Sequence, residues 1–149
     1  MKADQVGVLC IRRQESGPCQ VLLVTSRDTG RWIIPKGWRA QGLMDHEAAA
    51  REAQEEAGVA GLMTCAPIGD YTYSKAQSAR PLRVDVYLLA VRRERDHWPE
   101  QQQRRRAWFD LHEAVDKVRE PELKALIKGL RFLRPRPRKD DAIPLSASR

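Results

Sequence analysis

Between residues 45 and 58 the chain reads Asp-His-Glu-Ala-Ala-Ala-Arg-Glu-Ala-Gln-Glu-Glu-Ala-Gly, and few local structures accommodate such a run. The stretch from His46 to Ala57 is rich in Ala, Glu, Gln and Arg, residues that favour helix. Asp45 is a candidate N-cap, acidic Glu47 falls in the first turn, and Gly58 is a suitable stop. At about 100° per residue, Glu52, Glu55 and Glu56 gather on one side, because neighbours at i+3 and i+4 share a face. Ala49, Ala50, Ala53 and Ala57 form the adjoining face, small and apolar. Such a helix packs its alanines on a sheet and presents a dense acidic rim. Carboxylates this close repel one another at neutral pH unless a cation neutralises them. Oxygen donors suit a hard divalent ion, Mg²⁺ first and Mn²⁺ second. Taken alone, these glutamates also fit a solvated acidic face. A glycine-bearing loop running into the helix, and an arginine before the first of the three, favour a metal site.

The flanking sequence predicts strands. Val6 to Ile11 is apolar and β-branched, Glu15 to Pro18 is turn chemistry, and Gln20 to Thr25 returns as a hairpin partner. Trp32-Ile33-Ile34 is a short strand stopped by Pro35, and a loop from Lys36 to Met44 follows. Two strand-like segments, roughly Leu62 to Tyr73 and Leu82 to Val91, bracket a polar loop containing Ser74, Lys75, Gln77 and Ser78. Ala107 to Phe109 is a last strand. Asp110 is placed to cap a helix over Leu111 to Val118, and Pro121 to open another reaching about Phe132. One domain over residues 1–133 and a basic, disordered tail over 134–149 are expected.

A length of 149 residues suits a single core, and a 42% hydrophobic, 32% charged composition excludes a disordered chain. No apolar run approaches the length needed to span a bilayer. The N-terminal residues do not read as a secretory signal. Cys10, Cys19 and Cys65 lack metal-ligand spacing and predict no disulfide framework, so a reduced, cytoplasmic setting is expected. The net charge of +7 is concentrated in runs such as Arg104-Arg105-Arg106 and the stretch from Arg131 to Lys139. Such runs are either solvated surface or attractors of polyanions. A small polyphosphorylated partner accounts for them as well as nucleic acid does, and no nucleic-acid module signature is present.

The segment Gly37-Trp-Arg-Ala-Gln-Gly-Leu43-Met-Asp-His-Glu47-Ala-Ala-Ala-Arg51-Glu52-Ala-Gln-Glu55-Glu56-Ala-Gly58-Val59 resembles the Nudix box. Gly37, Arg51, Glu52, Glu55, Glu56, Gly58 and Val59 match that pattern in type and spacing, and Ala53 matches as a small apolar residue. The resemblance implies an α/β/α sandwich on a mixed β-sheet. It also implies Mg²⁺-dependent hydrolysis of a diphosphate linkage, with Glu52, Glu55 and Glu56 as metal ligands and the Gly37 carbonyl assisting. One of these glutamates, or an acidic residue of a later loop such as Glu100, would serve as general base. The first glutamate of the box is replaced by Leu43. Glu47, four residues before Arg51, is expected to compensate through a helical ion pair.

Arg31-Trp32-Ile-Ile-Pro35-Lys36-Gly37 and the stretch from Trp98 to Val118 are similar to diphosphoinositol polyphosphate phosphohydrolases and their diadenosine polyphosphate-cleaving relatives. The matching phosphate-gripping cations are Arg27, Arg31, Lys36, Arg104 and Arg106, with Lys75 in the loop between the two strand-like segments. Guanidinium forks suit phosphate. Tyr71 and Tyr73 are candidates for stacking an adenine, one of them being a core residue. Trp32 reads as core. The alternatives are a nucleoside triphosphate or RNA 5′-end pyrophosphohydrolase, for which the basic tail would help hold RNA, and a non-catalytic nucleotide sensor, encouraged only by Leu43. An ADP-ribose preference is disfavoured for want of a matching proline beyond the box.

Overall fold

A computed structural model of the chain describes residues 2–15 and 17–133. In chain order its elements are β1 (Gln5–Arg12), β2 (Gln20–Thr25), β3 (Trp32–Ile33), β4 (Lys36–Trp38), α1 (Asp45–Glu52), a π-helical turn (Ala53–Ala57), β5 (Val59–Met63), β6 (Gly69–Tyr73), β7 (Leu82–Glu94), β8 (Arg106–Asp110), α2 (Leu111–Lys117), α3 (Pro121–Gly129) and a 3₁₀ turn (Leu130–Phe132). The expectation for residues 134–149 lies outside the described residues.

All strands join one mixed sheet of eight. β1 and β7 run parallel at its centre, Gln5 opposite Val84 through Ile11 opposite Ala90. Every other pairing is antiparallel. Strand alternation divides the apolar residues between two faces. Val6, Val8 and Cys10 join Ala48, Ala49, Ala53 and Ala57 under α1. Leu9 and Ile11 join Leu111, Ala114, Leu123 and Ile127 under α2 and α3. The result is the expected α/β/α sandwich. The alanine face is buried as read from the wheel, save that Ala48 takes the place expected for Ala50.

The sheet opens where function needs space. β2 pairs with the C-terminal half of β1, from Cys10 opposite Leu22 to Arg12 opposite Gln20. Beyond that point the strands part, and residues 32–38 are inserted between them. Ile33 pairs with Val24 of β2, while Lys36 pairs with Gly7 of β1. Pro35, whose carbonyl accepts from the Val8 amide at 3.0 Å, forms the link. The loop expected from Lys36 therefore begins as a strand, because β1 supplies backbone partners that no local signal reveals.

The single segment expected over Leu62 to Tyr73 is two strands, both on the outer edge of β7. Met63 sits opposite Leu89 and Gly69 opposite Val86, so five residues bulge where β7 advances by only a few. Pro67 lacks an amide donor for continuous pairing. Thr64 pins the near side, its amide donating to the Leu88 carbonyl and its Oγ1 accepting from the Leu88 amide.

Candidate active site

α1 begins one residue earlier than the sequence suggests. Met44 holds the N-cap position with extended backbone. Asp45, the expected cap, instead binds Arg39 at 2.9 Å. Glu47 folds back to accept from the Met44 amide at 2.8 Å, satisfying one of the donors a helix start leaves open. The expected Glu47–Arg51 pair is thus replaced by a capping bond. Arg51 lies with Glu55, at 3.9 Å. Leu43 packs against the alanine-rich core, which explains an apolar residue there.

The helix then widens. At its end the Gly58 amide donates to the carbonyls of both Ala53 and Gln54, the i→i+5 bonding of a π-turn. A wider turn holds more residues, so side chains four apart nearly eclipse and those three apart swing away. Glu52 and Glu56 accordingly lie side by side, close enough for each to perturb the other's carboxyl group. Glu55 faces outward, its side chain 42% exposed. Among the described residues no group of three or more His, Cys, Asp or Glu side chains is already gathered into a metal-binding cluster.

Glu56 is 5% exposed, its Oε1 accepting from the Lys36 amide at 3.3 Å and its Oε2 lying 3.4 Å from Arg104. Burial pushes its carboxyl well above the ordinary carboxylate range, against the pull of Arg104, and neighbouring Glu52 pushes it further. Glu52 is also raised, first by burial. The raised pair therefore favours holding a proton at neutral pH when no cation neutralises it. The backbone makes room for it: a Cβ at Gly37 would land on the Glu52 carboxylate. A bare Cα, two adjoining hard-oxygen donors and a nearby third carboxylate fit a divalent cation of the Mg²⁺ or Mn²⁺ type.

Four consecutive carbonyls at the end of this helix are held by one strap, residues 95–106. The Glu100 amide donates to Glu55 O at 3.0 Å and Trp98 Nε1 to Glu56 O at 3.1 Å. Arg106 Nη1 donates to Ala57 O at 2.8 Å and the Arg95 amide to Gly58 O at 2.8 Å. These groups are the carbonyls that a helix C-terminus leaves without internal partners. Arg106 also stacks 3.8 Å over Trp98 and pairs with Glu94 at 3.6 Å. It does not line the cleft, so its expected grip on phosphate is corrected to a structural one.

Glu52 and Glu56 open into a cleft of about 780 Å³. Expected residues Arg27, Arg31, Lys36, Gly37, Arg51, Lys75, Glu100 and Arg104 all line it. Glu55 and Glu47 do not. Arg104, its side chain 7% exposed, is already engaged, with Glu100 at 2.7 Å, Glu56 at 3.4 Å and Thr25 O at 3.1 Å. Arg31 binds Glu120 through Nη2 at 3.2 Å, while its Nη1 is buried with no hydrogen-bond partner. Lys36 Nζ sits 4.7 Å over the Tyr73 ring, its pKa lowered by burial against the pull of Glu56 and Glu120. Tyr71 is buried in the core, whereas Tyr73 reaches the cleft and donates to Gln5 Oε1 at 2.7 Å. Trp32 packs edge-on against Phe109 beside the α2–α3 core, as read.

The sequence did not single out Trp38, Arg39 or Arg119, which also line the cleft. An aromatic in a loop leading to a functional helix was an available signal for Trp38. Arg119 carried none, being one arginine among many.

Comparison with known proteins shows the class to which this fold and its carboxylate-bearing helix belong. The NUDIX domain family matches residues 1–130, and the chain belongs to that family as an enzyme of the Nudix hydrolase class. It is 37% identical over 124 residues to Nudix hydrolase 16, mitochondrial, of Arabidopsis thaliana, covering 77% of this chain and 68% of that one. It is 34% identical over 110 residues to diphosphoinositol polyphosphate phosphohydrolase 2 of Rattus norvegicus, covering 72% and 58%. The chain thus spans roughly half to two thirds of the length of the curated relatives it matches. The solved Ap4A hydrolase of C. elegans superposes with a TM-score of 0.63 over 86% of this chain and 95% of its own, at 22% identity, which speaks for the fold alone. No helix among the described residues is long and apolar enough to cross a membrane.

Proposed function

We propose that the protein hydrolyses a phosphoanhydride linkage in a small polyphosphorylated substrate, a dinucleoside polyphosphate or a diphosphoinositol polyphosphate, with Mg²⁺ as cofactor and Mn²⁺ as substitute. The observation that carries this reading is the Glu52–Glu56 pair, seated against bare Gly37 in the same cleft as Arg31 and Lys36. Carboxylates alone would repel such a substrate, and cations alone would bind it without cutting it.

Glu52 and Glu56 would hold the cation, with Glu55 joining them from its position beside Arg51 and the Gly37 carbonyl assisting. Once bound, the ion neutralises phosphate oxygens and lowers the pKa of water. The protein's own groups do the rest. Arg31 Nη1, buried and without an acceptor, offers a donor that a phosphate oxygen satisfies. Lys36 and Arg27 extend the cationic wall, and Arg119 closes its rim. Arg104 holds Glu56 and Glu100 in place. Asp28 and Glu100 are the cleft carboxylates outside the cation set; Glu100, joined to Glu56 through Arg104, would take the proton of the attacking water. A cytoplasmic setting is part of the same reading.

The test is a panel of diadenosine polyphosphates, diphosphoinositol polyphosphates, nucleoside triphosphates and ADP-ribose, each incubated with Mg²⁺. Released phosphate or nucleotide from one of the first two classes is expected. Silence across the panel, with ligand still bound by wild type and Glu56→Gln alike, would make the domain a sensor. Cleavage of triphosphates alone would make it a pyrophosphohydrolase. In Glu100→Gln, turnover lost with Mn²⁺ binding kept marks a proton acceptor; loss of both marks a support for Arg104.

A further inference from the structure

Among the described residues only two carboxylates are buried, Glu56 and Glu120. Glu56 belongs to the cation cradle, and Glu120 has no part in it. A buried carboxylate is costly unless it is paired. Glu120 stands at the N-cap position of α3, yet its side chain makes no capping bond there. It reaches instead to Arg31, its Oε2 accepting from Nη2 at 3.2 Å across 89 residues of sequence. The helix has other attachments. Pro121, at its start, brings no amide that needs a cap. Glu122 accepts from the Thr72 amide at 3.0 Å and ties α3 to β6, while Leu123 and Ile127 are buried in the core.

Arg31 is anchored at its backbone by the turn before β3. Its carbonyl accepts from the Ser26 amide at 2.8 Å, and its amide donates to Thr29 Oγ1 at 3.3 Å. The turn fixes where this long side chain begins but not where it ends, and rotamer freedom is lost when it is ordered. Glu120 supplies that order by taking one nitrogen of the guanidinium fork. The other, Nη1, is left without a hydrogen-bond partner. A rigid fork can serve two acceptors at once in fixed geometry. Arg31 lines the cleft, whereas Glu120 does not, so Glu120 can reach a substrate only through Arg31.

We infer that Glu120 is a positioning residue for substrate binding: it holds Arg31 by one arm, so that a phosphate group meets a guanidinium already oriented. The inference rests on the hydrolase reading above. Wild type, Glu120→Ala, Glu120→Gln, Arg31→Ala and the double variant Arg31→Ala with Glu120→Ala are compared in two assays. One is hydrolysis of diadenosine tetraphosphate with Mg²⁺. The other is calorimetric titration with a triphosphate whose bridging oxygens are methylene groups, which cannot be cleaved and has neither base nor polyol. Glu120→Ala is expected to raise KM and weaken the triphosphate analogue roughly tenfold, with kcat unchanged. Glu120→Gln, whose amide oxygen can accept from Nη2, should recover most of that loss. In the Arg31→Ala background, removing Glu120 should alter KM and affinity by less than about twofold. Unchanged KM and analogue affinity in Glu120→Ala would overturn the inference, even with stability lowered in urea unfolding, because Glu120 would then serve the fold alone. So would the same loss with and without Arg31. Should Glu120→Ala not fold, Glu120→Asp, which keeps the charge but withdraws it by one methylene, takes its place. Wild type that binds the analogue and cleaves nothing would refute the hydrolase reading while the titrations still decide the role of Glu120. Wild type that does not bind the analogue would overturn the inference.

Discussion

Gly37 shows how a single missing atom group can define a site. Its Cα lies so close to the Glu52 carboxylate that a methyl group there would displace an oxygen. Gly37→Ala should therefore leave the sheet folded and move Glu52. Displacements of about 1 Å at reacting groups lower rates by roughly 100-fold. A kcat reduced by that order, with an unchanged far-ultraviolet dichroism spectrum, is the expected result; wild-type kcat would show that Glu52 is not needed where it stands. Gly42 is the control. It has a φ of 82° and an open surround, so Gly42→Ala should cost about 1 kcal/mol of stability with kcat unaffected, read by urea unfolding. Glu47 is equally informative at this scale. Its spacing allows a pair with Arg51, but its carboxylate instead accepts from a backbone amide three residues away. Local capping wins because it satisfies an otherwise open donor, whereas an exposed helical ion pair contributes a few tenths of a kcal/mol.

The element that matters most is the π-turn. Its strap gives each of four successive carbonyls a donor, and these bonds hold the turn that sets Glu52 beside Glu56. Trp98→Phe keeps the ring under Arg106 and removes one donor, so it should destabilise by about 1 kcal/mol. It should also weaken Mn²⁺ binding, measured by titration. Loss of stability with full Mn²⁺ affinity would mean the strap serves the fold alone. The helix, its alanine face and its stop at Gly58 were legible because period and composition encode them. The π-turn was not. It depends on Trp98, which is 42 residues from Glu56 in sequence, and no local pattern distinguishes i→i+5 from i→i+4 bonding. The same reason hid β4 and the division of β5 from β6, which the edges of β1 and β7 decide.

For the whole molecule, the parting of β1 from β2 creates the cleft, and charge decides what enters it. The motif made the carboxylate wall legible in the sequence, and most of the cations assigned to phosphate do reach the cleft. Arg106 does not, because its guanidinium finds carbonyls and an indole closer at hand. The raised pKa of the Glu52–Glu56 pair also couples the site to overall stability. Without metal, the folded state retains a proton there that the unfolded chain releases near the ordinary value of 4.5. Folded stability from these groups is therefore complete below that value and declines as pH rises toward the folded pKa. A cation removes the penalty by displacing the proton. The rise in Tm produced by saturating Mg²⁺ should accordingly be larger at about pH 8 than at about pH 5.5 in thermal melts. An equal rise at both would mean that the pair does not exchange a proton for the ion.

That exchange is the centre of the account, and Mn²⁺ binding reads it most directly. Electron paramagnetic resonance titration of free Mn²⁺ should show saturable binding to wild type at neutral pH, weakened roughly tenfold or more in both Glu52→Gln and Glu56→Gln. Mn²⁺ held equally well by all three proteins would contradict the assignment of this helix as the metal cradle.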